Sequence, residues 1–377
     1  MSSVVNRRRP ARLAIVGASV RAATQSALRA GFEVVGADLF ADSDLDGICS
    51  ITRIESYPDG LADWLAKQEV DAWMYTGALE NYPDLVDRMA RIAPLWGVSG
   101  KALRRCRDPL ELQRVVHDAG LAFPETRRWK DARPAEGQWL CKTYRHSGGI
   151  GVRSLGLDGP PEGLGDGYLQ RFVPGKPLAA MYVVSEARSV LLGVTEQLLS
   201  GQPDDWGYVG SIGPKQHEQP MLDRLGDCLR DALSLRGLVG VDLVAADDEA
   251  TVIELNPRFT ASTEVLERAC GRSAVDSLSN AFVDRPIANW QPVGNRYCAK
   301  WVLFARRDVR VTPEFARGDF ADRPQVGEVI AQGRPVCTLL VEGNSEAATL
   351  VSLRTAIDKA EQLLYGNTND RVRLTTK

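Results

Sequence analysis

The stretch from Gly237 to Thr260 constrains the chain most. It reads Gly-Leu-Val-Gly-Val-Asp-Leu-Val, a charged turn, then Thr-Val-Ile-Glu-Leu-Asn-Pro-Arg-Phe-Thr. Apolar and branched residues on both sides of Asp247-Asp248-Glu249-Ala250 predict two β-strands joined by a tight polar turn. Pairing brings Asp242 near Glu254, and residues two apart on a strand share a face, so Glu254 and Asn256 project together. That face carries two carboxylates and an amide oxygen, with the Arg258 guanidinium next along it. Hard oxygen donors of this kind suit Mg²⁺, which takes one or two carboxylates together with nucleotide phosphates. A solvated acidic hairpin accounts for Asp247, Asp248 and Glu249. It does not account for a carboxylate followed by Asn, Pro and Arg in an apolar strand.

With 377 residues, the chain has room for two or three domains and a sizeable core. A formal charge of −3 gives no general pull toward nucleic acid or an anionic membrane, and Arg7-Arg8-Arg9 reads as a solvated tail. No apolar run is long enough to span a bilayer. Seven scattered cysteines without a C-x-x-C pair read as reduced thiols of a cytoplasmic protein. Three histidines, none at ligand spacing, argue against zinc.

Residues 12–98 alternate short apolar strands (12–16, 33–37, 72–75, 95–98) with helical runs, the pattern of a small parallel α/β unit. Gly17 after the first strand and Asp38 further on resemble part of a dinucleotide site. The turn reads Gly-Ala-Ser-Val-Arg-Ala, however, and lacks the second and third glycines of that fingerprint. The Gly17–Arg21 loop can still hold an anion at a helix N-terminus. The loop bearing Glu80 and Asn81 lies where ligands collect in parallel sheets, and a solvated turn fits it equally. Lys101 precedes a helix capped by Asp108 with Pro109 at its first position. Lys142 ends an apolar strand and opens the loop Thr-Tyr-Arg-His-Ser-Gly-Gly-Ile-Gly. Backbone N–H groups of such a loop can surround phosphate while the lysine neutralises it.

Lys101, Lys142 with its glycine loop, the strand end Gln170–Gly175, and Asp242 with Glu254-x-Asn256-x-Arg258 occur in one order. The ordered set resembles the ATP-grasp superfamily of carboxylate–amine ligases, of the predicted ATP-dependent carboligase type related to biotin carboxylase. The resemblance implies a mixed α/β and α+β architecture. A Rossmann-like parallel-sheet domain would occupy residues 1–98 and the two-lobed ATP-grasp domain 99–285, with lobes of about 120–175 and 176–285. A small β-rich C-terminal lobe with a closing helix would fill 286–377.

It further implies that Lys101 and Lys142 contact the α- and β-phosphates, and that the loop containing His146, Ser147, Gly148 and Gly149 closes over the γ-phosphate. The backbone of Arg171, Phe172 and Val173 would meet the adenine edge, with Gln170 beside it. Asp242, Glu254 and Asn256 would hold two Mg²⁺, with Mn²⁺ able to substitute, and Arg258 would face the transferring phosphoryl. Ser19, Arg21, Glu80, Asn81 and Ser211 would shape the substrate end, and Lys215 is a third phosphate contact or a plain loop cation. Small-molecule carboxylate and amine substrates are the implied partners, without nucleic acid or membrane, and a homodimer is compatible.

There are departures. Lys176-Pro177 stands where an acid often holds the ribose. Phe259-Thr260-Ala261-Ser262 replaces the Gln-Val-Glu-His that follows the arginine in biotin carboxylase, which argues against bicarbonate activation. The function implied is an ATP-dependent ligase that forms an acyl phosphate and captures it with an amine, with a coenzyme of the C1-carrier type and a glutamate-like substrate as its most specific form. A carboxylase-type enzyme of purine or related metabolism and a non-catalytic ATP-binding subunit are the alternatives.

Overall fold

The computed structural model describes residues 11–129, 131, 136–145, 148–149, 151–156, 166–200, 206–216, 219–246 and 249–366. The chain opens with a parallel sheet of β1 (Arg12–Val16), β2 (Glu33–Asp38), β3 (Ser50–Arg53) and β4 (Ala72–Tyr75), ordered β3-β2-β1-β4. Helices α1 (Arg21–Arg29), α2 (Gly60–Leu65) and α3 (Pro83–Met89) accompany it. β1 is apolar on both sides. Leu13 and Ile15 enter one core, while Ala14 and Val16 enter another, as alternation along a strand covered on both faces requires.

The stretch expected as a strand at 95–98 makes only a single bridge, Leu95 to Trp73. The edge strand β3 was not legible beforehand, because Ile51 is its one apolar residue.

Two helices follow, α4 (Gly100–Cys106) and α5 (Pro109–Asp118). The Asp108 side chain accepts from the backbone N–H of Leu110 and Glu111, the cap its position before proline predicts. A small antiparallel sheet, ordered β5-β8-β6-β7, combines β5 (Thr126–Arg128), β6 (Trp139–Thr143), β7 (Arg153–Ser154) and β8 (Gly167–Arg171).

The large sheet contains β9 (Lys176–Val184), β10 (Ser189–Leu199), β11 (Tyr208–Gly213), β12 (Gly237–Ala246) and β13 (Glu249–Asn256). α6 (Gln219–Leu233) precedes the hairpin, and α7 (Ala261–Cys270) and α8 (Ala274–Phe282) follow it. The C-terminal segment supplies β14 (Tyr297–Phe304), the two-stranded β15 (Val309–Arg310) and β16 (Val329–Ile330), α9 (Pro313–Ala316), β17 (Pro335–Gly343) and α10 (Glu346–Tyr365). β14 and β17 extend the large sheet, whose order is β13-β12-β9-β10-β11-β14-β17, so it runs across the joint expected near residue 286. On β9, Ala180, Tyr182 and Val184 enter the same core as Ala14 and Val16, so the first sheet and the large one are packed through shared interiors. None of the seven cysteines, all among the described residues, forms a disulfide, and no described helix is long and apolar enough to cross a membrane.

Candidate active site

The β12–β13 hairpin brings the expected pair together through a register shift between Asp242 and Leu243: Asp242 is directly opposite Glu254, and Gly240 is opposite Asn256. Both carboxylates and the Asn256 amide face a cavity of about 430 Å³. Its opposite wall is made by Lys142 of β6, by Gly148 and Gly149 of the glycine loop, and by Gln170, Arg171, Phe172 and Val173 at the end of β8. Arg258 closes one side, and Ser19, Thr76 and Gly77 from the first sheet's loops complete it. Gly149 has φ +78 and lies so close to the Trp206 carbonyl that a Cβ would collide with backbone. Tyr208 N–H donates to the Gly148 carbonyl at 3.0 Å, so the loop rests on the segment leading into β11. His146 and Ser147 lie outside the described residues.

Electrostatics bind the two walls together. Lys142 is 4% exposed and donates to Gln170 Oε1 at 2.6 Å. Burial pushes its pKa down, against the opposing pull of Glu254 and Asp242. Asp242 Oδ1 accepts from Gln197 at 3.0 Å and Oδ2 from Asn256 Nδ2 at 2.9 Å. Burial, then the charge of Glu254, pushes the Asp242 carboxyl up to about 7. Two carboxylates facing each other out of water are the arrangement a divalent cation relieves.

The donor set therefore fits Mg²⁺: hard oxygens from Asp242, Glu254 and, after an amide rotation, Asn256, with room for phosphate oxygens. Among the described residues no group of three or more His, Cys, Asp or Glu is placed to hold a metal ion by itself, so the protein offers an open set rather than a closed cage.

One prediction follows from the sign of the Asp242 shift. An aspartate titrating near 3.8 when unfolded and near 7 when folded contributes stability below pH 3.8 that is lost as pH rises through 7. Asp242→Asn should then be more stable than the parent protein, by a margin that grows from pH 5 to pH 8 in urea titrations. Binding of magnesium nucleotide should release protons near pH 7, measurable by calorimetry in buffers of different ionisation enthalpy.

Other sequence expectations are placed differently. Lys101 is exposed near the start of α4 and does not reach the cavity. The cation that approaches the hairpin is Arg107, just past the same helix, donating to Glu254 Oε1 at 3.3 Å and to the Tyr144 carbonyl at 2.9 Å. The six steps from one to the other leave them about 240° apart around a helix, which separates their faces. Sequence order alone gave no signal for Arg107, which follows two other arginines. We expect Lys101→Ala to leave nucleotide binding within about twofold. Arg107→Ala, which removes the support of a metal-site carboxylate, should weaken MgADP about tenfold by fluorescence titration.

Lys215 does not line the cavity, and its Nζ pairs with Glu196 at 2.7 Å and Glu346 at 2.8 Å, tying the end of β11 to α10. Arg21 is fully buried and outside the cavity wall, bonded to Glu264 and Asp322. Glu80 and Asn81 also stand behind the wall. Glu80, 0% exposed, accepts from Arg258 Nε at 2.7 Å. Ser211 is buried behind Tyr208 and Ser262, which do line the cavity. Ser19 lines it directly.

Residues 106–262 match the family described as the ATP-grasp domain. This chain carries an ATP-grasp domain. The match covers the glycine loop, β8 and the β12–β13 hairpin. Solved ATP-grasp structures align over nearly the whole chain. Biotin carboxylase from Campylobacter jejuni is 14% identical over 92% of this chain and 90% of its own, with a TM-score of 0.72. N5-carboxyaminoimidazole ribonucleotide synthetase from Thermus thermophilus is 16% identical over 95% and 100%, TM-score 0.68. L-amino acid ligase from Bacillus licheniformis is 14% identical over 95% and 98%, TM-score 0.71. These likenesses establish the ATP-grasp fold, with its parallel first sheet and antiparallel sheets around the nucleotide cavity. A curated relative, the uncharacterized protein MJ0776 of Methanocaldococcus jannaschii, is 21% identical over 177 residues, 46% of this chain. The chain spans 42% of that relative's length.

Proposed function

We propose that the protein is an ATP-dependent ligase that activates a carboxylate as an acyl phosphate and joins it to an amine. The observation that carries this reading is the convergence of Lys142, Asp242, Glu254, Asn256 and Arg258 on one cavity beneath a glycine loop. A carboxylate oxygen attacks the γ-phosphorus as its bond to the β-phosphate oxygen breaks, releasing ADP. The amine then attacks the acyl carbon, phosphate leaves with the electron pair, and the nitrogen gives up a proton. Nothing here needs a side-chain nucleophile; the protein contributes position and charge neutralisation.

Lys142 neutralises phosphate oxygens, oriented by Gln170. Arg258 faces the phosphoryl in transfer, and the loop at Gly148 and Gly149 shields the acyl phosphate from water. Mg²⁺ held by Asp242, Glu254 and Asn256 would supply charge stabilisation at the phosphates. Arg171–Val173 would border the adenine.

The most specific form of this reading is an amide-forming step in coenzyme synthesis. Biotin carboxylase and the carboxyaminoimidazole synthetases are carboxylase-type neighbours, so bicarbonate belongs in the test. The test is an ADP-release screen crossing carboxylates, including bicarbonate, with amines. Amine-dependent ADP release with amide formation is the expected result. Strict bicarbonate dependence favours the carboxylase alternative, and nucleotide binding without turnover under any pair favours a binding subunit.

A further inference from the structure

The cavity continues beyond Arg258. Past Phe259 its wall is completed by Ser19 and Ser262, by Lys300 of β14, and by Asp322 from the loop before β16. Along β14, Ala299, Trp301 and Leu303 pack in one core with Leu353 and Ile357 of α10, which turns Lys300 to the opposite face. There it is 5% exposed and donates to Glu264 at 2.9 Å. Asp322 is gripped by Arg21, whose Nε and Nη2 reach its two oxygens at 2.9 Å each. Its backbone is in the left-handed region at φ 52, and its N–H donates to Asp44 at 3.2 Å. A non-glycine residue held there by the surrounding structure is a feature that clusters at ligand sites.

Two cations, Arg21 and Lys300, face three carboxylates: Glu264, Asp322 and, 3.8 Å from Arg21, Asp44. A buried network of this sort does little for stability that apolar side chains of equal volume would not do. What distinguishes it is the cavity it opens onto. An ammonium has three N–H donors and a carboxylate about four acceptor positions, so Lys300 and Asp322 each keep capacity beyond their internal partners. A cation and an anion therefore stand side by side at this end of the cavity, and a ligand group carrying both signs meets both, where a simple dicarboxylate or a simple amine meets one.

We infer that this end of the cavity is the subsite for an amino-acid head group, its ammonium on Asp322 and its carboxylate on Lys300. The inference rests on the ligase reading and names the class of one of its two substrates. Recognition is built jointly by the first sheet's domain, which fixes Asp322 through Arg21 and Asp44, and by the C-terminal segment, which supplies Asp322 and Lys300.

The test is calorimetry on the full chain loaded with MgADP, titrated with the common L-amino acids and then with the N-acetyl and carboxamide derivatives of each that binds. At least one amino acid should bind, and both derivatives should bind at least about tenfold more weakly. Asp322→Asn should lose at least about tenfold in amino-acid affinity and should no longer distinguish the N-acetyl derivative, with MgADP affinity within about twofold of the parent. If that variant does not fold, the derivative series on the parent protein decides alone. Normal MgADP binding with no amino acid bound, or with derivatives bound as tightly as their parents, overturns the subsite and leaves the ligase reading standing. Failure of MgADP itself to bind overturns the ligase reading and the subsite with it.

Discussion

Glu254→Gln should reduce ADP formation about a thousandfold while leaving a folded protein. Glutamine has nearly the same shape as glutamate but lacks its charge, and Glu254 is one of the two carboxylates proposed to hold the metal. Charge stabilisation by a bound divalent ion at a phosphoryl group is worth several kcal/mol, and about 4 kcal/mol corresponds to three decades in rate. The stability change should be small. Glu254 keeps 19% side-chain exposure, its contact with Arg107 is 3.3 Å long, and an amide oxygen can still accept there. Urea midpoints and single-turnover ADP formation separate the two effects.

A second readout is independent of turnover. Loss of the Glu254 charge relieves its repulsion of Asp242, so proton release on MgADP binding should shift to lower pH. A Glu254→Gln protein that turns over normally would place the metal elsewhere.

The parts of this site that were legible in the sequence are the local ones. A short polar turn between two apolar runs predicts the hairpin, but its register alone would set Asp242 opposite Ile253; the register shift between Asp242 and Leu243, which no sequence pattern marks, brings Glu254 opposite instead. Lys142 stood out through its place in the ordered set, since a glycine-rich hairpin is common by itself, and it does line the cavity. Gln197, Arg107 and Glu80 were not assigned their roles, because each acts across a long span of chain: Gln197 reaches Asp242 from a neighbouring part of the sheet, and Glu80 meets Arg258 from another domain. Lys215 misled for the same reason. Its partners Glu196 and Glu346 lie on either side of it in sequence, and no periodicity indicates that they meet. The large sheet's continuation into β14 and β17 was hidden likewise, since strand order depends on tertiary pairing rather than on the strands themselves. It is that continuation which brings Lys300 to the cavity.

Arg258→Met should cut kcat about a hundred- to a thousandfold and also destabilise the protein, and Glu80→Gln combined with it should restore stability without restoring activity. Glu80 is fully buried and Arg258 is 11% exposed, with the Nε–Oε1 bond at 2.7 Å. Tyr75, on the strand leading to Glu80, donates to the Pro257 carbonyl at 3.2 Å, and Thr76 bridges to Phe259, so the two chains are fixed on both sides of the pair. Removing the guanidinium alone leaves a buried carboxylate without its cation, a loss of about 3–5 kcal/mol for pairs of this kind. Neutralising Glu80 as well removes that penalty, so the double variant should recover most of the lost urea midpoint. Activity should not follow, because the guanidinium proposed to face the phosphoryl is then missing, and removal of one such donor costs about two to three decades. Glu80→Gln alone is the most informative member of the cycle. It leaves Arg258 charged but loosely held, so it should lower kcat about ten- to a hundredfold with little change in the KM for ATP. If the double variant regains activity along with stability, Arg258 is an interdomain strut and not the phosphoryl-facing group.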